Sequence, residues 1–131
     1  MKELSGLSAK WIAKAEAHLG TANRELAVKK GANPDAVCFH AHQCAENYLK
    51  ARLQQSDVHF PTTPHLAVLL YLCADIEPSW ETHRSRLSKL SAVNRLIQEP
   101  EESATPAMAK ESLDLTTKFR AAARKTLGLE G

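Results

Sequence analysis

The sequence predicts an all-α protein, an up-and-down antiparallel bundle of four long helices plus one short helix. Three observations lead there. Asn33-Pro34, Thr63-Pro64 and Thr105-Pro106 each pair a capping residue with a proline. The Asn or Thr side chain accepts a hydrogen bond from a free backbone N–H, and proline at the first helical position lacks an N–H that would have no partner there. Apolar residues recur at steps of three and four, whereas no run alternates apolar and polar and no Asn-Gly or Asp-Gly marks a hairpin. Aromatic residues make up only 5%, and Ala and Leu dominate, which favours helices over strands.

The first helix is expected over residues 8–30, opened by Ser8, with Trp11, Ala15, Leu19, Ala22 and Leu26 on one stripe. Lys29, Lys30 and Gly31 give it a basic last turn and a stop. The second, residues 34–55, turns Val37, Ala41, Cys44, Ala45, Tyr48 and Leu49 inward. A short third helix over 64–75 buries Leu66, Leu69, Leu70 and Cys73. The fourth, 79–98, presents Trp80, Leu87, Leu90 and Ile97. In the last, 106–127, Met108, Ser112, Leu115, Phe119, Ala122 and Thr126 alternate steps of four and three, a coiled-coil-like seam that Gly128 ends. Short connections favour antiparallel neighbours.

With 131 residues the chain is expected to form a single domain, 1–131. Seventeen basic against fifteen acidic residues leave a net charge of +2, too small for nucleic-acid binding by bulk charge. Cys38, Cys44 and Cys73 are odd in number and lack CxxC spacing, which suits buried thiols in a reducing compartment. There is no signal-peptide-like apolar run near Met1 and no stretch that approaches a membrane span. A cytoplasmic location is the expectation.

The most informative stretch is FHAHQCAENYLKARL, Phe39 to Leu53. Gln43, Glu46 and Lys50 form a polar line along an otherwise apolar helix, with Phe39 at its head and Glu46 and Lys50 at the favourable i,i+4 spacing. The wheel puts this line opposite the core, so Phe39 needs a second surface to cover it. This stretch, the Trp11 helix before it and FPTTPHLAVLL after it resemble the HEPN domain, a family of small all-α proteins. The family pattern Phe-x-x-x-Gln-x-x-Glu-x-x-x-Lys-Ala-x-Leu is met by Phe39, Gln43, Glu46, Lys50, Ala51 and Leu53. Trp11, Ala15 and Leu19 fit the family's first helix, but His18 stands where an acid is usual. In the Thr-His-Asp-Leu-like start of the third helix, Thr63 and Leu66 fit while Pro64 and His65 depart. Of the Arg-Tyr-Pro-like turn, NRLIQEP keeps Arg95 and Pro100 without the compact motif.

The resemblance implies a homodimer and a nucleotide-related or interaction role. It often goes with a minimal nucleotidyltransferase from a neighbouring gene, in a toxin–antitoxin-like pair. Ribonuclease members carry Arg-x4-6-His in their later helices, where Arg would bind phosphate and His would transfer protons. No histidine follows His83 here, so Arg84, Arg86 and Arg95 cannot open that motif; Arg52 and His59 meet the spacing only, at the end of the second helix. No catalytic residue is therefore assigned. Phe39, Gln43, Glu46, Lys50 and Arg95 are the ligand or dimer-interface candidates, and a nucleotide or RNA is the ligand class.

Cys38, His40, His42 and Cys44 look like a metal box, but residues two apart on a helix point away from each other. Cys38/His42 and His40/Cys44 each share a face, short of the ligand number zinc prefers unless His65 or His83 joins. No metal site is expected. Nor is a cofactor, since there is no Gly-rich phosphate loop, nucleophile elbow or paired-carboxylate motif. Lys118, Arg120, Arg124 and Lys125 gather near the end of the last helix, where they complement its dipole or make a weak phosphate patch. The alternatives to a non-catalytic module are a degenerate HEPN ribonuclease and a ligand-free structural bundle.

Overall fold

The computed structural model describes residues 3–130. Among them are five α-helices and no strand: α1 (Gly6–Leu26), α2 (Pro34–Gln55), α3 (Leu66–Ala74), α4 (Arg84–Leu96) and α5 (Pro106–Thr126), with a 3-10 helix, Pro78–His83, leading into α4. The all-helical bundle expected from the sequence is what forms. α2 is its axis, packed against α1, α3, α4 and α5, and 12 of its 22 residues are buried, which is why its sequence shows no clean amphipathic period.

Side-chain bonds give the directions. Ser8 Oγ donates to the Ala51 carbonyl, and Tyr48 donates to Glu16, so α1 and α2 run antiparallel. Thr116 Oγ1 donates to the Ala41 carbonyl, and Arg124 Nη1 to the Tyr48 oxygen, so α5 runs with α2. Trp80 Nε1 reaches Thr126 Oγ1, and Ser91 lies by His42, which sets α4 against both. The four long helices therefore alternate. The short α3 does not: His42 lies by Pro64 and Cys73 Sγ meets the Leu49 carbonyl, so α3 runs in the same direction as α2. The connection from Ser56 to His65 returns along the bundle to allow this, and its Phe60 ring packs edge-on against Trp11, 6.1 Å between centroids.

Several expected boundaries move. Ser5, not Ser8, caps α1, its Oγ accepting from the Ser8 N–H at 3.0 Å; Ser8 is buried beneath. α1 stops at Leu26, four residues before Lys30, and the chain reaches Pro34 through Gly31, whose φ of +70° suits glycine. Thr63-Pro64 does not open α3. The Thr63 hydroxyl instead accepts from the His65 N–H at 3.1 Å, a local turn, and the helix begins at Leu66. The expected fourth helix is divided between the 3-10 segment that carries buried Trp80 and α4 proper, which ends at Leu96.

On α5 the buried line is Ala109, Ser112, Leu113, Thr116, Phe119 and Ala123. Ser112 and Phe119 belong to the expected seam, but Met108, Leu115, Ala122 and Thr126 are only partly covered. Thr116 bonds the Ala41 carbonyl of α2, and Ala109 and Ala123 are small residues buried on the same line of α5. Glu16 fastens three helices. It accepts both Arg120 Nε and Nη2 at 2.7 Å and also the Tyr48 hydroxyl. The Arg120 hydrogen bonds hold its carboxyl below the usual range, against the opposing effect of partial burial. Both ends of the described chain reach one end of the bundle, where Leu4 and Leu127 line a cavity of about 270 Å³ with Arg52, Gln55, Ser56, Glu77 and Thr126.

Candidate functional site

A polar cluster sits where α2, α4 and the turn before α3 meet. His42 is fully buried, and Glu46, Ser91 and Asn94 are at most 8% exposed. Each interrupts an apolar face. On α4 the stripe Leu87, Leu90 is continued by Ser91 and Asn94 at helical spacing, and on α2 His42 and Glu46 lie one turn apart. The cluster opens into a cavity of about 310 Å³ lined by Pro64, His65, Ser91, Asn94, Arg95, Gln98 and Glu99.

Burial pushes the His42 pKa down to about 4, against an opposing contribution from the Pro64 backbone. The imidazole is therefore neutral at pH 7. Its Nδ1 stands 3.9 Å from Glu46 Oε1, which at that protonation state is no ion pair. Asn94 Oδ1 is buried without a hydrogen-bond partner, and the His42 ring is met only loosely, by the Pro64 backbone and by Ser91 Oγ at 3.5 Å. Buried polar groups are nearly always paired, because leaving one unmade costs about 1–3 kcal/mol. A ligand or ordered water that bonds to them removes that cost.

The expected candidates fall in different places. Glu46 is 7% exposed and accepts from Lys50 Nζ at 3.0 Å, and the Lys50 ammonium lies 5.0 Å from the Trp11 ring centre. The polar line is thus partly covered by the chain's own α1, rather than turned wholly away from it. Gln43 is half-buried, and Phe39 stays 41% exposed. Arg95 is exposed and lines the polar cavity. The sequence reading missed Ser91 and Asn94 and took His42 only as half of a metal box. The signal available was two small polar residues extending the apolar stripe of α4.

The other sequence features separate. Arg52 is held within its own chain: its Nε and Nη2 meet Glu77 Oε1 at 3.1 and 3.0 Å, and Nη1 donates to Ser56 at 2.7 Å. His59 lines a different cavity, with Gln54, Asp57, Val58 and Phe60. Cys38, His42 and Cys44 are buried, whereas His40 turns toward His18; no set of three or more His, Cys, Asp or Glu converges among the described residues. Burial raises all three thiols, Cys44 and Cys73 to about 12. Of the basic residues on α5, Arg120 is bound to Glu16, Arg124 to Tyr48 and the Glu130 carbonyl, and Lys118 to Asp114. That leaves little of a phosphate patch. No helix among the described residues is long and apolar enough to cross a membrane.

The family model of the HEPN domain matches residues 8–126. Neither the curated proteins nor the solved structures give a significant match.

Proposed function

This chain belongs to the HEPN domain family, and on that premise we propose that it is a non-catalytic binding module taking a nucleotide-related ligand in the cavity beside Asn94. The unpartnered Asn94 Oδ1, buried at the cavity wall, carries this reading. It asks for a donor such as a nucleobase amino group, and His65, Gln98 and the Arg95 guanidinium at the same cavity supply further polar contacts. A volume of about 310 Å³ suits a base or a small nucleotide fragment better than an RNA strand. A ribonuclease reading finds no such support, because the Arg52 guanidinium is committed to Glu77 and Ser56.

The same proposal includes a homodimer and, as its working partner, a minimal nucleotidyltransferase in a toxin–antitoxin-like pair. Phe39, exposed on the helix that is otherwise the best covered, supports a contact with another subunit. Calorimetric titration with AMP, ADP, ATP and GMP tests the cavity. At least one is expected to bind, with Arg95→Ala or Asn94→Leu weakening it about tenfold, a loss of about 1.4 kcal/mol. Failure of all four to bind, or full affinity in both variants, refutes the ligand reading.

A further inference from the structure

On the outer side of the α1–α2 pair two imidazoles meet. His18 Nδ1 and His40 Nδ1 are 2.8 Å apart, one ring from each helix. The ring centres are 5.1 Å apart with planes inclined by 31°. Phe39 closes the flank, 5.1 Å from the His40 ring and 6.4 Å from His18, edge-on to both. Both histidines are half-buried, so they have lost part of their hydration while staying open to small solutes. Partial burial lowers the pKa of both, and for His18 the neighbouring His40 and Lys14 add to the effect. Two neutral rings at this distance share one Nδ1 proton, one donating and the other accepting. Neutral imidazole nitrogens are also the donors that late transition-metal ions prefer.

We propose that His18 and His40 form a chelating site for a copper(II)- or nickel(II)-type dication, one ion per chain, with water completing the coordination. Metal–imidazole bonds of about 2.0–2.1 Å put two nitrogens about 2.9 Å apart at a right angle and about 3.3 Å apart at the tetrahedral angle. The observed 2.8 Å is the length of an N–H···N hydrogen bond between the rings, and it lies nearer the right-angle pair of a square or tetragonal ion than the tetrahedral one. Binding needs no net loss of a proton. The ring that donates through Nδ1 shifts its proton to Nε2, and both Nδ1 lone pairs then turn to the ion. The backbone of two packed helices holds the spacing, so little chain entropy is lost on binding. Phe39 restricts which side the ion enters from. The site shares no residue with the Asn94 cavity and stands whether or not a nucleotide binds there.

Isothermal titration of the tag-free protein with NiCl2 tests this, with copper(II) electron paramagnetic resonance as a second readout. One ion per chain is expected, with nitrogen hyperfine splitting from two imidazoles. His18→Ala and His40→Ala should each weaken nickel binding about tenfold or more, while His59→Ala leaves it unchanged. Circular dichroism melts show whether each variant is folded, and His18→Gln serves if the alanine variant is not. The proposal is overturned by absence of binding at millimolar nickel, by unchanged affinity in the His18 and His40 variants, or by one ion per two chains.

Discussion

His42 is a residue whose surroundings have a direct thermodynamic consequence near neutral pH. Its pKa falls from an ordinary 6.5 to about 4 on folding, so the unfolded chain binds a proton more readily than the folded one. Its contribution to stability is complete above pH 6.5 and is lost as pH falls toward 4. A shift of that size corresponds to about 3 kcal/mol. His18, His40 and His83 are depressed in the same direction by burial and add to the slope. Urea unfolding at pH 7 and pH 4.5 should show the loss, and His42→Leu should flatten most of it. A wild-type curve flat over that interval contradicts the buried neutral ring. Glu46 and Lys50 were visible in the sequence, since a charged line on an apolar helix needs a reason, and Arg95 through its place in the family-like turn. His42, Ser91 and Asn94 were not visible as a group, because two helices and a turn bring them together only in three dimensions.

At the level of elements, starts written in local chemistry were legible. Asn33-Pro34 and Thr105-Pro106 open α2 and α5 as expected, each cap accepting from the N–H three residues on at 3.1 Å. Thr63-Pro64 has the same letters and a different use, because its hydroxyl was taken by the turn at His65. The 3-10 segment depends on Trp80 reaching Thr126, a contact 46 residues away that no local pattern announces. The rotation of α5 has a similar cause. A heptad count favours Met108 and Leu115, yet the line buried on α5 runs through Ala109, Thr116 and Ala123. Thr116 is fully buried and bonds the Ala41 carbonyl at 2.9 Å. Thr116→Val should therefore cost about 1 kcal/mol by removing the donor at constant shape, and Thr116→Leu about 1–3 kcal/mol by overfilling the contact. Chemical denaturation measures both, and an unaffected Leu variant means that the two helices are not in tight contact there.

For the molecule as a whole, one helix inside four others makes the family pattern readable. α2 touches every other helix, so its sequence carries constraints from each, and those constraints resemble a family more than they resemble a simple amphipathic period. The Glu16 junction then ties α1, α2 and α5 together at a single carboxylate. The cavity that Leu4 shares with Leu127 has a topological consequence. Residues 3 and 130 can be spliced by a short glycine-serine bridge and the backbone cut afresh between Lys30 and Gly31, in the exposed turn after α1. Such a circular permutant should keep the helical spectrum and a single cooperative melt, with α1 now following α5 along the chain.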